Sequence, residues 1–193
     1  MKPEPFTDAL VRLVHCYYPS GLRNDDPGYR DSDESQRLTR LLLANVQPSP
    51  AWKGFIGRLV QEFPGCNVWD TTVPYHEPCT SVRVSLSNSM PDDSRYDCVV
   101  ALLSQLAPVY ALYASHTHKL ATTVESWFRF PPFPPEFQAH ETKLAGLIES
   151  TFGFTRLSND VLLTPVPDLV PRTANYGLGE ALLVDCLFTR DRW

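Results

Sequence analysis

Residues 98–118 read CVVALLSQLAPVYALYASHTH, and no Asp, Glu, Lys or Arg interrupts them. A helix that crosses a bilayer needs about 20 mostly apolar residues, so a membrane span and a buried pair of strands compete for this stretch. Ser104, Gln105 and Pro108 break the run in its middle. Its two halves are rich in Val and Tyr, residues that suit a pleated, packed surface. The run is therefore expected to form two buried strands, near 96–103 and 109–115, in a soluble protein with no membrane partner.

The flanks extend the sheet. Residues 66–73 (CNVWDTTV) and 80–86 (TSVRVSL) are short and β-rich. In the second, Val82, Val84 and Leu86 alternate with Ser81, Arg83 and Ser85, a half-buried antiparallel pattern. Residues 87–94 (SNSMPDDS) read as a turn, and 122–130 (TTVESWFRF) as a fifth strand.

Helices lie on either side. The first spans about 7–17, with Leu10, Leu13, Val14 and Tyr17 at helical spacing. The second carries Leu38, Leu41, Leu42 and Val46, with Asp33 as expected N-cap and Gln36 in capping-box position. The third follows Ser49-Pro50 and places Trp52, Phe55, Ile56, Leu59 and Phe63 on one face, stopping at Pro64-Gly65. After the rigid PPFPPEF stretch at 131–137, a fourth runs from about Pro135 to Thr151. It carries His140, Leu144, Leu147 and Ile148 on one face and meets Gly153 as C-cap. The tail holds β-prone runs at 160–164 and 181–188. The fold class is α+β: N-terminal helices packed on a mostly antiparallel sheet, then a further helix and closing strands, in a single domain over 1–193.

Length and composition agree with that reading. The 193 residues, 43% hydrophobic and 20% charged, are enough for a core without metal or disulfide staples. The net charge is −5, and it is local. Residues 24–34 (NDDPGYRDSDE) hold Asp25, Asp26, Asp31, Asp33 and Glu34 against Arg30 alone, a balance of −4. The remaining 17 acids and 16 bases nearly cancel, so no basic field for nucleic acid exists. Five cysteines with no C-x-x-C spacing read as reduced thiols in a cytoplasmic protein. The N-terminal stretch has no uninterrupted apolar segment and does not read as a signal peptide.

No catalytic signature stands out. His76 and Cys79 (HEPC) with His116 and His118 (HTH) are zinc-ligand types, but nothing in the sequence brings the two pairs together. His15-Cys16 are neighbours on a helix and point about 100° apart, and Cys98 lies inside an apolar strand. Phosphate-cradle, nucleophile-elbow, zincin and EF-hand patterns do not occur. No metal or cofactor is expected, and no catalytic role for Cys79, Cys98, His116 or His118. Trp127, Phe128, Phe130, Phe133 and Phe137 crowd the proline run, and part of this group is a candidate exposed contact surface.

The chain resembles immunity proteins of bacterial polymorphic-toxin systems. The resemblance lies in the Tyr17-Tyr18-Pro19 end of the first helix, the stretch YRDSDESQR from Tyr29 to Arg37 and the Trp52 helix closing on FPGCNVWDTT. The final segment, VPDLVPRTANYGLGEALLVDCLFTRDRW, also looks similar. It implies a small cytoplasmic protein, not an enzyme, that binds a cognate toxin and blocks it. With the charge arithmetic it makes Asp25, Asp26, Tyr29, Asp31, Asp33 and Glu34 the expected contact residues, on a monomer or weak dimer. The competing readings are a small hydrolase or transferase with an unrecognised Cys/His site, and an intracellular scaffold domain without a toxin partner.

Overall fold

The computed structural model describes residues 6–87, 95–119, 123–172 and 175–188. In chain order the elements are α1 (Phe6–His15), α2 (Asp33–Ala44), α3 (Pro50–Glu62), β1 (Val68–Asp70), β2 (Cys79–Ser85), β3 (Arg95–Ser104), β4 (Val109–Lys119) and β5 (Val124–Arg129). They continue with α4 (Pro135–Phe152), β6 (Thr155–Arg156), α5 (Asn159–Leu162) and α6 (Leu183–Leu187). The turn expected at 87–94 lies, beyond Ser87, outside the described residues.

The uncharged run folds as the adjacent antiparallel strands β3 and β4, with Val100 opposite Tyr113 and Leu102 opposite Ala111. Both parities of these strands are apolar, so each face of the sheet must be covered. Cys98, Val100, Leu102, Val109, Ala111 and Tyr113 turn to one side, where they pack with Leu10 and Val14 of α1, Leu38 and Leu42 of α2, and Leu183 and Leu187 of α6. Val99, Ala101, Leu103, Tyr110, Leu112 and Ala114 turn to the other, against Trp52, Phe55 and Leu59 of α3 and Phe137, Leu144 and Ile148 of α4. The α+β expectation holds, with helical layers on both faces. No described helix is long and apolar enough to cross a membrane.

The sheet is an antiparallel meander in the order β1-β2-β3-β4-β5, and β6 joins β4 in parallel. Since β3 occupies one side of β4, β5 and β6 share the other: β5 pairs with Ala114 to Lys119, and β6 with Val109 and Tyr110.

Local signals explain the helix boundaries. Ser49 Oγ accepts the Trp52 N–H, with Pro50 opening α3, and Gly153 at φ 67° ends α4 in the left-handed region. At α2 the cap is Ser32, one residue before the expected Asp33; its Oγ accepts the Ser35 N–H at 3.1 Å. Asp33 and Glu34 instead occupy the first turn, where the helix dipole favours negative charge.

The tail departs from expectation. The runs at 160–164 and 181–188 form the short helices α5 and α6, not strands, and the closing strand is the two-residue β6 between them and α4. Short apolar runs do not reveal their period. Here Leu183, Val184, Cys186 and Leu187 are all buried, and the Asp185 carboxylate accepts the Leu182 N–H at 2.8 Å at the start of the helix. What remains extended is a single bridge, Pro165 to Leu182.

Candidate partner-binding surface

The acidic segment is a turn-rich loop between α1 and α2, and it is fixed from beneath. Tyr29 is 1% exposed, and its hydroxyl donates to the Val170 carbonyl at 2.6 Å. Burial pushes its pKa well up. The expectation that Tyr29 touches a partner is thereby corrected: the ring is an internal anchor. A tyrosine surrounded by polar residues reads as a surface residue because the wall that buries it comes from a segment about 140 residues away.

Above that anchor the loop is braced by its own backbone. Asp26 Oδ2 accepts the Arg23 N–H at 2.7 Å, the Asp26 N–H donates to the Arg23 carbonyl at 3.0 Å, and the Tyr29 N–H donates to the Asp26 carbonyl at 3.2 Å. Gly28 sits at φ 90°, a conformation costly for any residue with a Cβ. Gln36 Nε2 donates back to the Asp31 carbonyl at 3.0 Å. The five carboxylates are thus displayed on a held backbone: Asp25, Asp31 and Asp33 are exposed, Asp26 and Glu34 partly so. Asp25 meets Arg23 Nε at 3.2 Å in an exposed pair, which contributes little to stability.

Another acid is held at the turn that follows α1, and sequence reasoning missed it. Asp168 accepts from Ser20 Oγ at 2.5 Å and pairs with His15 Nε2 at 3.0 Å, while its own carbonyl accepts the Gly21 N–H at 2.7 Å. The Ser20 hydroxyl, then the His15 ring, hold its carboxyl below the usual carboxylate range, against some desolvation. Beside the loop a cavity of about 430 Å³ is lined by Arg30, Thr39, Tyr75, His76 and Arg172 among others. Tyr75 stands at φ 69°, rare for a residue with a Cβ, with its ring half exposed.

The residues singled out for chemistry scatter. Cys79 is paired with Ser104 at one end of β3, while His116 lies opposite Asp97 near the other, so the HEPC and HTH pairs do not converge. Among the described residues no group of three or more His, Cys, Asp or Glu could hold a metal ion. Burial pushes the Cys79 thiol well up and the Cys98 thiol up to about 11. His116 Nδ1 lies 2.5 Å from Asp97 Oδ1, and its ring is stacked by Trp127 at 5.4 Å between centroids. His15 is committed to Asp168 and to the Val11 carbonyl.

The structure does bring together one Cys/His pair that the sequence concealed. Cys66 Sγ lies 3.4 Å from His140 Nε2, with the His140 ring stacked on Phe63. The two are 74 residues apart, in the segment between α3 and β1 and on α4, and no spacing motif could have joined them. Burial raises the Cys66 thiol, and burial followed by the Lys143 charge lowers His140. Both shifts favour the neutral thiol–imidazole pair over a thiolate–imidazolium pair.

The aromatic group divides. Phe133, just before α4, and Phe137, on it, are buried in the core, whereas Trp127 and Phe128 stand 40% exposed on β5. The chain matches no family model, and neither curated proteins nor solved structures give a match.

Proposed function

We propose that this protein is a non-catalytic immunity protein that binds and neutralises a cognate toxin domain in the cytoplasm, with the acidic 24–34 loop as part of the contact. The observation that carries the reading is the way the loop is held: its acids are exposed or partly exposed while Tyr29 is buried and bonded beneath them. A surface of one charge on a preorganised backbone loses little entropy on binding and steers an oppositely charged partner, so its main effect is on association rate. Asp25, Asp26, Asp31, Asp33 and Glu34 supply the field. The binding energy comes from a few desolvated contacts elsewhere on the interface, since rim charges contribute little affinity.

The test is co-expression with the toxin domain encoded beside the gene. Protection of the host cell, together with a stable complex on gel filtration, supports the reading. Failure of every neighbouring toxin domain to bind or to be neutralised removes it.

The hydrolase or transferase alternative rests on the Cys66–His140 contact. A nucleophilic thiol requires the thiolate, and both shifts oppose it. Iodoacetamide decides the matter: rapid, pH-independent alkylation of Cys66 favours the enzyme, and slow alkylation that rises into alkaline pH favours the structural pair.

A further inference from the structure

We infer that β5 is a self-association edge, at which a second copy of this chain adds its own β5 antiparallel about a two-fold axis through Trp127. Three observations combine. First, β5 ends the strand order, and among the described residues its only strand neighbour is β4. An end strand presents a row of backbone donors and acceptors that another strand can take up. Second, all six residues of β5 are exposed, Val124, Trp127 and Phe128 among them. Natural sheets guard such edges with proline, a bulge or repelling charge; Val124–Arg129 pairs with β4 residue for residue, without a bulge, and contains no proline.

Third, the two charges on the strand are self-complementary. Glu125 and Arg129 lie two residues to either side of Trp127 and share its face. A two-fold axis at Trp127 sets Glu125 opposite the second copy's Arg129, and Arg129 opposite its Glu125. Directly opposed residues of antiparallel strands have their Cβ atoms about 5 Å apart, so both pairs are within reach. Like charges at these positions would guard the edge; opposite charges placed symmetrically select this register instead. The same axis makes the interface isologous, so it closes at two copies. Trp127 is held in place by its own sheet, stacked on His116 of β4 and edge-on to Phe137, with the Arg129 guanidinium 5.9 Å from its ring centre, and it keeps 40% of its surface exposed for the contact. Phe128 and Val124 extend the apolar contact on the opposite face of the sheet.

Charge exchange tests the register directly, read by sedimentation equilibrium of the full chain. The wild type should show a concentration-dependent monomer–dimer equilibrium. Glu125→Arg alone and Arg129→Glu alone should each weaken dimerisation tenfold or more, since each places like charges opposite one another twice. The double exchange, Glu125→Arg with Arg129→Glu, should restore it. Mixing the two single variants should yield a heterodimer, because both opposed pairs are then of opposite sign. Circular dichroism confirms that each variant is folded. A wild type that stays monomeric at the highest concentration reached overturns the inference. A dimer indifferent to both single exchanges, or weakened by them and not restored by the double exchange, overturns it as well.

Discussion

The loop at 24–34 and the strand β5 are both exposed, and they are exposed for opposite reasons. The loop is polar above and anchored below: its one large ring, Tyr29, is turned inward and hydrogen-bonded to Val170. On β5 large side chains stay exposed on a strand whose far edge lacks a described strand partner, with Trp127 partly covered by His116 and Phe137 and Phe128 edge-on to Tyr113. A held, charged surface contributes speed and selectivity to an encounter. An apolar edge contributes area and backbone pairing. The two regions therefore suit different partners, a basic foreign surface for the loop and a like copy for the strand.

The comparison breaks first at its anchor. Tyr29→Ala removes a fully buried ring and orphans the Val170 carbonyl, so a loss of about 3–5 kcal/mol in urea unfolding is expected. Tyr29→Phe keeps the ring and should lose about 1–2 kcal/mol, the cost of an unmatched buried carbonyl. If the two substitutions cost the same small amount, the loop is not held by this residue. On the other region the expectation reverses: Phe128→Ser, at an exposed position, should change unfolding free energy by less than about 1 kcal/mol.

A smaller effect sharpens the view of the cysteines. At neutral pH, iodoacetamide should label the exposed Cys16 well before Cys66, whose thiol burial raises, and mass spectrometry of tryptic peptides gives the order. Labelling of Cys66 first would show that its pairing with His140 generates a thiolate. The smallest effect concerns Asp168. Its folded pKa lies below the unfolded value, so its contribution to stability is present above the ordinary carboxylate range and is lost as pH falls through the folded value. Asp168→Asn should lower stability at neutral pH and above, leave it nearly unchanged at the acid end, and so flatten the acid limb of the stability curve. A steeper acid limb in the variant contradicts this sign.

Much of the scaffold was legible because its signals are local. Uninterrupted apolar residues at both parities marked β3 and β4, helical stripes marked α1 to α4, and the caps Ser49 of α3 and Gly153 of α4 were read in place. The misread parts depend on distant contacts. In 181–188 Leu183, Val184, Cys186 and Leu187 are all buried in the core as a short helix, whose start is fixed by the Asp185 carboxylate accepting the Leu182 N–H. Tyr29 reads as surface until the 166–172 segment is laid over it. The acidic patch was visible as composition, but its anchoring through Tyr29 and the tie of Asp168 to the turn after α1 were not, since both arise from contacts between the two ends of the chain. Cys66 and His140 meet only because α3 and α4 cover the same face of the sheet.

Stopped-flow association with the proposed cognate toxin domain across a salt series tests most directly whether the held acids steer a basic partner, as proposed. The protein carrying Asp25→Asn, Asp26→Asn, Asp31→Asn and Asp33→Asn is compared with the wild type, its fold checked by thermal unfolding. At low salt the variant should associate about tenfold or more slowly, and the two rates should converge as salt screens the field. Dissociation should change far less. An unchanged association rate at low salt, in a folded variant that still binds, would place the contact elsewhere on the molecule.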